Sequence, residues 1–488
     1  MLTQARGAGV DRPSPMVEVV LSRVPRFLSA HYQGPNNEIL PNAGLAYLAG
    51  TLRAAGISYR LMEPLTADPG GRDFSREIAL RRPRIVGFTC ASLDIDNAGL
   101  AAAAVKLVAP GAFVVVGGAH PSALPRETLE QYPEFDGVVV GEGELTLLEL
   151  TAAIREGREL RGINGLVYRQ DGQIVVNPPR EQIADIDDLP FPCFDGLDLR
   201  RYRQFYAWMN APSLPVGASR GCPYRCNFCF HPFGATVRAR RPANVVREIE
   251  EDHRTYGARS IVFVDESFTL DNERTEEFCR LMIAEGLDRK IGWLLLSRVD
   301  CVSPTLVALM KQAGCTLISF GVESGNPQIL RQIGKRVTLE QAREALRLCR
   351  RQGIYTAASF QIGQPGETPA TVRETVSFAM NADIDYANFC LTTPIPGTQI
   401  AAMAREGKGG LVLLSTDWRK YDKTGGALEL RNLSASRLAW MQRLAYMRFY
   451  LRPSHIKRLF ELAPLSVFIR YLWWSLLQGW LKQPAAGK

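Results

Sequence analysis

The sequence predicts an α/β protein in three parts: a doubly wound parallel sheet, a partial (βα)6 TIM-like barrel and a helical C-terminal region. Three observations predict it. In the first third, five short runs are apolar throughout and alternate with segments of helical periodicity, as buried parallel strands require. Past a cysteine-rich loop, strand-like and helix-like segments alternate again, and each strand ends in polar residues. Beyond residue 400 the strand pattern gives way to helical spacing. With 488 residues, 46% hydrophobic and 22% charged, the chain can hold two or three globular domains. The expected parts are 1–15, a loose polar leader; 16–160, the first sheet; 161–212, a hairpin and linker; 213–400, the barrel; and 401–488, the helical region.

The first sheet starts at Val17–Leu21, a short buried strand. After a Gly/Pro/Asn loop at 34–37, Leu45, Leu48, Ala49 and Leu52 repeat at helical spacing, and Gly56 closes that helix. Ile57–Met62, Ile85–Thr89, Phe113–Gly118 and Gly137–Gly143 read as the next strands, with helices over Ala98–Val108 and Leu145–Ile154. In such sheets a ligand lies at the carboxyl ends of the strands, where Thr89, Ser92, Gly117, Gly118, His120, Gly141, Glu142 and Gly143 fall. A dinucleotide fold is the generic competitor, but no G-x-G-x-x-G follows the first strand. Leu166–Arg169, Asp171-Gly172 and Ile174–Val176 read as a hairpin, and the proline- and acid-rich run Pro178–Pro192 as the linker.

The chemistry centres on Cys222-Pro-Tyr-Arg-Cys226-Asn-Phe-Cys229, which follows Ser219-Arg-Gly221. Three thiolates crowded in this way suit an iron–sulfur cluster with one iron left open. Zinc is the alternative, with His231 as the nearby fourth ligand. A thioredoxin-type redox pair lacks its surrounding unit.

Downstream, Asn244–Tyr256 is helical, and five more strands each lead into polar residues. Ser260–Val264 leads to Asp265-Glu266, and Gly292–Leu296 to Ser297-Arg298. Thr316–Val322 leads to Glu323-Ser324, and Tyr355–Gln361 to Gly363-Gln-Pro-Gly-Glu367. Ala387–Leu391 leads to Pro394 and Pro396. With Pro215–Ala218 these make six units, too few for a closed eight-strand barrel.

The tail is helical over Arg437–Leu451, and Val467–Leu481 is rich in aromatic and apolar residues, with Trp473, Trp474 and Trp480. That second stretch is too short to span a bilayer. Two readings stay open: a helix lying in a membrane surface, or one packed on the barrel as a lid. From Ser434 to Lys488 there are nine Lys/Arg against one acid, Glu461, so the net charge of +8 resides in the tail. A neutral body argues against nucleic acid as a partner. Ten cysteines without a signal peptide point to a reducing, cytoplasmic setting, with the tail as the candidate contact to the inner face of a membrane.

At its cysteine motif the chain resembles the radical SAM superfamily. The resemblance implies that Cys222, Cys226 and Cys229 hold a 4Fe–4S cluster whose open iron chelates S-adenosylmethionine, with Phe228 in the family's usual aromatic position. It further implies that Asp265, Glu266, Arg298, Glu323, Ser324, Gln361 and Gly363 contact S-adenosylmethionine. The front half is similar to the cobalamin-binding domains that precede many radical SAM modules, on Gly117-Gly-Ala-His-Pro121, Leu124-Pro-Arg-Glu-Thr128 and Gly141-Glu-Gly-Glu144. Glycines there let the backbone approach a flat corrin. Relatives outside radical SAM carry D-x-H-x-x-G with a cobalt-ligating His. Here Ser29-Ala-His31-Tyr-Gln-Gly34 has Ser for Asp, so cobalt is expected to have a weak protein ligand below it or none.

The implied activity is methylation of an unactivated carbon of a small or lipid-like biosynthetic intermediate. The implied scheme joins a 5′-deoxyadenosyl radical and methylcobalamin, with flavodoxin or ferredoxin as electron donor. An oxidative cyclisation without methyl transfer, as in the anaerobic magnesium-protoporphyrin cyclase, is the alternative. A cobalamin sensor with a structural cluster, and a methylthiolating RNA enzyme, are the other two.

Overall fold

The computed structural model describes residues 16–25, 40–64, 71–202, 209, 211–422, 426–453 and 455. The leader, the His31 loop and the aromatic stretch Val467–Leu481 lie outside the described residues. The first half runs β1 (Val19–Arg23), α1 (Ala43–Ala54), β2 (Tyr59–Met62), α2 (Arg72–Arg81), β3 (Ile85–Thr89), α3 (Ile95–Val108) and β4 (Phe113–Gly117). It continues with α4 (Ala119–Ala123), α5 (Pro125–Gln131), β5 (Gly137–Val139), α6 (Glu144–Glu156), β6 (Leu166–Gln170) and β7 (Gln173–Val176). The strand order is β2-β1-β3-β4-β5-β6-β7.

The strands are apolar throughout because both faces are covered. Val20, Val86, Phe88, Val114 and Val116 pack under α2 and α3, while Val19, Leu21, Ile85 and Val115 pack under α1 and α6. The expected hairpin forms, and it extends the sheet. Val138 of β5 pairs antiparallel with Val167 of β6, so the parallel edge is covered and Leu166, Val167 and Tyr168 are buried. The sheet is therefore parallel over β1 to β5 and antiparallel at its β6–β7 edge.

The second half opens with β8 (Ser213–Val216), two residues earlier than predicted, and a short ribbon of β9 (Ser219–Arg220) and β10 (Arg238–Ala239). Then follow α7 (Pro242–Tyr256), β11 (Ser260–Phe263), α8 (Asn272–Ala284), β12 (Gly292–Ser297), α9 (Pro304–Gln312) and β13 (Cys315–Glu323). Next are α10 (Pro327–Gln332), α11 (Leu339–Arg351), β14 (Tyr355–Ile362), α12 (Pro369–Asn381) and β15 (Tyr386–Leu391). The chain ends its described part with α13 (Gln399–Arg405), β16 (Leu411–Leu413), β17 (Leu428–Leu430) and α14 (Ala435–Tyr450).

Six parallel strands form an open sheet in the order β15-β14-β13-β12-β11-β8. Its outer face, including Phe263, Leu295, Phe320, Phe360 and Phe389, lies in one core beneath the helices. An open barrel leaves an edge with unpaired backbone groups. Helix α14 covers the one at β15 with side chains. Tyr446 Oη accepts from the Phe389 N–H at 3.1 Å, Tyr450 Oη bridges the Ala387 N–H and C=O, and Gln442 donates to the Phe389 carbonyl at 2.7 Å. Among the described residues no helix is long and apolar enough to cross a membrane.

Candidate active site

The cysteine loop grows out of the β9–β10 ribbon. Gly221 makes the turn at φ +96°, and a Cβ there would sit 2.2 Å from the Thr236 carbonyl oxygen, so only glycine fits. The Cys222 N–H donates to the Gly234 carbonyl at 3.2 Å and the Cys229 N–H to that of Cys226 at 3.1 Å. The Asn227 N–H reaches across the barrel mouth to the Ile333 carbonyl. These bonds set all three thiols on one half-buried loop. Burial pushes each thiol up, Cys229 to about 12. Binding to iron removes those protons, as a metal's charge favours the thiolate.

Among the described residues no three His, Cys, Asp or Glu side chains converge on a single metal ion. Structural zinc takes four protein ligands, whereas three thiolates suffice for a four-iron cluster and leave one iron open. The donor set fits the cluster. His231, the fourth ligand of the zinc alternative, has both ring nitrogens without a partner among the described residues.

Around this loop the predicted contacts divide into two groups. Glu323 and Arg298 keep free capacity. Glu323 sits at φ +71° on a bulge of β13, and Gly321 makes room for it: a Cβ there would lie 2.4 Å from Glu323 Oε1. Glu323 Oε1 accepts from Lys335 Nζ at 3.2 Å, while its buried Oε2 has no partner. Arg298 stacks 3.6 Å over the Tyr224 ring, grips Asp300 with two hydrogen bonds and donates to the Lys335 carbonyl. Its buried Nη1 has no partner. An unpartnered carboxylate oxygen and an unpartnered guanidinium nitrogen suit the amino and carboxylate groups of an amino acid. Glu266 leans on the Gly221 amide, and burial raises its carboxyl. Gln361 is half-buried, and Gly363 turns at φ +97°. Phe228 packs on the barrel core.

Asp265 and Ser324 are engaged by the frame. Asp265 accepts from Ser219 Oγ at 2.5 Å and the Ala218 N–H at 3.0 Å, which ties the base of the loop to β11. Ser324 is fully buried between Thr375 Oγ1 and the Asn326 N–H, both at 3.1 Å. One further residue escaped the sequence reading, and a second was read only as part of a backbone turn. Lys335 follows Gly334 as an ordinary helix-end lysine would, yet tertiary packing buries it against Glu323. Gln364 is fully buried, and neither atom of its amide has a partner.

At the first sheet, Gly118 turns at φ +102°, where a Cβ would lie 2.6 Å from the Cys90 carbonyl oxygen. Beside it a cleft of about 280 Å³ opens at the carboxyl ends of β1 and β3, between Arg23, Thr89, Cys90 and Ala119. Arg23, Asn42 and Asp94 line this cleft beside backbone of the loop after β3, and it lies where a doubly wound sheet takes its ligand. His120 bonds Ser92 Oγ at 3.0 Å and meets the Trp418 ring edge-on at 4.7 Å. Burial lowers its pKa to about 4, which keeps the ring neutral. Gly117 ends β4, the Gly141 N–H donates to Ser122 Oγ, and Gly143 caps α6 against Leu48. Glu142, predicted beside the corrin, has its carboxylate occupied by protein donors: it accepts from Arg220, Arg238 and the Ile183 N–H.

Comparison with known proteins shows the family. The chain matches the B12 binding domain over residues 37–151 and the Radical SAM superfamily over residues 216–379. It is 36% identical over 427 residues to an uncharacterized methyltransferase of Pyrococcus horikoshii, spanning 86% of this chain and 90% of that one. It is 31% identical over 381 residues to the anaerobic magnesium-protoporphyrin IX monomethyl ester cyclase of Rubrivivax gelatinosus, spanning 76% of this chain and 68% of that one. The fold superposes on the radical S-adenosylmethionine methyltransferase TsrM of Kitasatospora setae, with cobalamin and a 4Fe–4S cluster bound, at a TM-score of 0.70 and 21% identity over 90% of each chain. The chain belongs to the cobalamin-dependent radical SAM enzymes. Its cofactors are a 4Fe–4S cluster, S-adenosylmethionine and cobalamin.

Proposed function

We propose that the enzyme methylates an unactivated carbon of an uncharged, small or lipid-like biosynthetic intermediate. The observation that carries the substrate half of this reading is the inner wall of the barrel. Alternation along the strands points Val264, Leu296, Ser319, Ser359, Gln361 and Asn388 away from the helix-covered core, whose members are their neighbours Phe263, Leu295, Ile318, Ala358, Phe360 and Phe389. Val264 and Leu296 are each 44% exposed on that wall. The other four offer hydroxyls and amides, and the charged groups Arg298 and Glu323 stand at the strands' carboxyl ends. Such a wall favours an apolar molecule with neutral hydrogen-bonding groups over a carboxylate or phosphate.

When bound, the cofactors supply the electron, the radical and the methyl carrier. The residues of the chain position and shield. Cys222, Cys226 and Cys229 would hold the cluster, Arg298 and Glu323 would fix the amino-acid end of S-adenosylmethionine, and Gly118 packs the loop after β4 against Cys90 in the loop after β3, where the corrin would lie. Tyr224 under Arg298 keeps the guanidinium at the rim. The methyltransferase reading is supported by the 36% identical relative. The cyclase reading, oxidation without methyl transfer, is supported by the 31% identical one.

Anaerobic incubation with reductant, methyl-labelled methionine precursor and cell extract distinguishes them. Methylation yields S-adenosylhomocysteine and 5′-deoxyadenosine together, with label in an organic-soluble product. Deoxyadenosine without S-adenosylhomocysteine would establish the cyclase reading instead. Cys226→Ala should reduce both to background; retained function would point to a sensor with a structural cluster.

A further inference from the structure

The half that carries the corrin cleft and the half that carries the cluster loop are joined by a buried ionic node. Glu142 follows β5. Its Oε1 accepts from Arg220 Nη1 at 2.7 Å, and both its oxygens accept from Arg238 Nη1 at 2.9 Å. Arg220 Nη2 continues to Glu144 at 2.5 Å. The side chains are only 4% (Glu142), 6% (Glu144), 8% (Arg238) and 13% (Arg220) exposed. The linker closes the node from one side: the Ile183 N–H donates to Glu142 and the Ile183 carbonyl accepts from Arg238. Arg220 also lies over the rings of Tyr47 on α1 and of Phe233.

Arg220 and Arg238 are direct cross-strand partners in the β9–β10 ribbon, and Arg220 is followed by Gly221 and Cys222. A forked guanidinium bound at two carboxylates fixes direction as well as distance, which an apolar contact does not. The two arginines and two glutamates balance in charge, so loss of one partner strands a buried charge and shifts the ribbon. We propose that Glu142 and Arg220 are positioning residues that set the cluster loop against the corrin sheet, and with it the gap between the two cofactors. The inference rests on the methyl-transfer reading only for its kinetic consequence.

The test uses the full chain loaded with cluster and cobalamin. Pulsed EPR on the paramagnetic corrin and the reduced cluster measures their separation without turnover. Wild type should give one narrow distance, and Glu142→Gln a displaced or broadened one at unchanged iron and cobalamin content. In Glu142→Gln, formation of S-adenosylhomocysteine, which needs both cofactors in register, should fall about tenfold or more, since misplacement of about 1 Å is costly. Cleavage of S-adenosylmethionine to 5′-deoxyadenosine, which needs the cluster alone, should stay within about twofold, whereas a merely structural role would lower both. If Glu142→Gln fails to load, Arg220→Lys, which keeps the charge and loses the fork between Glu142 and Glu144, decides by the same distance. An unchanged distance in a loaded variant overturns the proposal. A shifted distance with no S-adenosylhomocysteine even from wild type keeps it and overturns the methyl-transfer reading.

Discussion

The carboxyl ends of the barrel strands and those of the first sheet face cofactors with different materials. The barrel rim carries buried charged side chains with unpartnered atoms, Glu323 Oε2 and Arg298 Nη1. The rim of the first sheet carries glycines and polar groups already paired with each other, such as Ser92 with His120. The contrast follows the ligands. S-adenosylmethionine is a small zwitterion that directional, charge-assisted bonds can hold. A corrin is wide and flat, and suits a broad surface of backbone turns more than a few charged anchors. The comparison breaks if a charge change at the barrel rim and a shape change at the sheet rim fail to separate the two affinities.

The largest effect is expected at Gly118. Its φ of +102° disfavours any other residue, and a side chain would meet the Cys90 and Thr89 atoms at 3.0 Å or less. Gly118→Val should abolish cobalamin uptake, read by visible absorption of the desalted protein, while cluster reconstitution read by EPR is retained. The backbone strain of roughly 1–3 kcal/mol should also lower the melting temperature. Uptake at the wild-type level would show that the corrin does not depend on how the loops after β3 and β4 pack together.

Much of this was legible before the structure, and the exceptions have physical reasons. Strand β3 falls at Ile85–Thr89, where it was predicted, because an uninterrupted apolar run between polar flanks has few other placements. Helix α2 was missed because only Phe74 and Ile78 of it are buried, so its periodicity is faint. Glu142 reads as a cofactor contact from its glycine-flanked motif, since its arginine partners lie 78 and 96 residues away. Asp265 and Glu266 are adjacent carboxylates with no local signal to separate them. The Ala218 amide and the Ser219 hydroxyl decide which one joins the frame.

The second effect is one of pH, and its sign differs between the two rims. Glu367, in the turn after β14, accepts from the Gly363 N–H at 2.5 Å and the Gln364 N–H at 3.1 Å. Burial raises its pKa to about 7 from 4.5. The folded state therefore holds this proton more tightly, and the stability it contributes is complete below 4.5 and lost as pH rises to about 7. The span corresponds to at most about 3 kcal/mol. His120 acts in the opposite sense. Its pKa falls from 6.5 to about 4, so its contribution is present above 6.5 and lost as pH falls towards 4. In wild type the two trends oppose. Glu367→Gln, which keeps both acceptor bonds without a titrating proton, should leave the His120 trend exposed. Its melting temperature should then fall on acidification from pH 6.5 more steeply than that of wild type. Superimposable profiles would show that the Glu367 carboxyl is not held protonated by the fold.

The smallest effect expected is at Glu323, and it tests the charged half of the comparison directly. Gln at this position keeps the shape and can still accept from Lys335 at Oε1. What it loses is the negative charge available at the unpartnered Oε2. A charge-assisted bond to an ammonium group contributes about 1.5–3 kcal/mol when it replaces water, of which a neutral amide keeps a part. Glu323→Gln should therefore weaken S-adenosylmethionine binding to the cluster-loaded protein by about tenfold, or about 1.4 kcal/mol, by calorimetry. Cobalamin affinity should not move, since the residue stands on β13 of the barrel and not on the first sheet. The variant also leaves Lys335 as a buried cation facing an amide, which by itself lowers stability but not ligand selectivity. A drop in melting temperature with full S-adenosylmethionine affinity would thus place Glu323 in the frame alongside Asp265. The barrel rim would then rely on Arg298 and the open iron to hold its ligand.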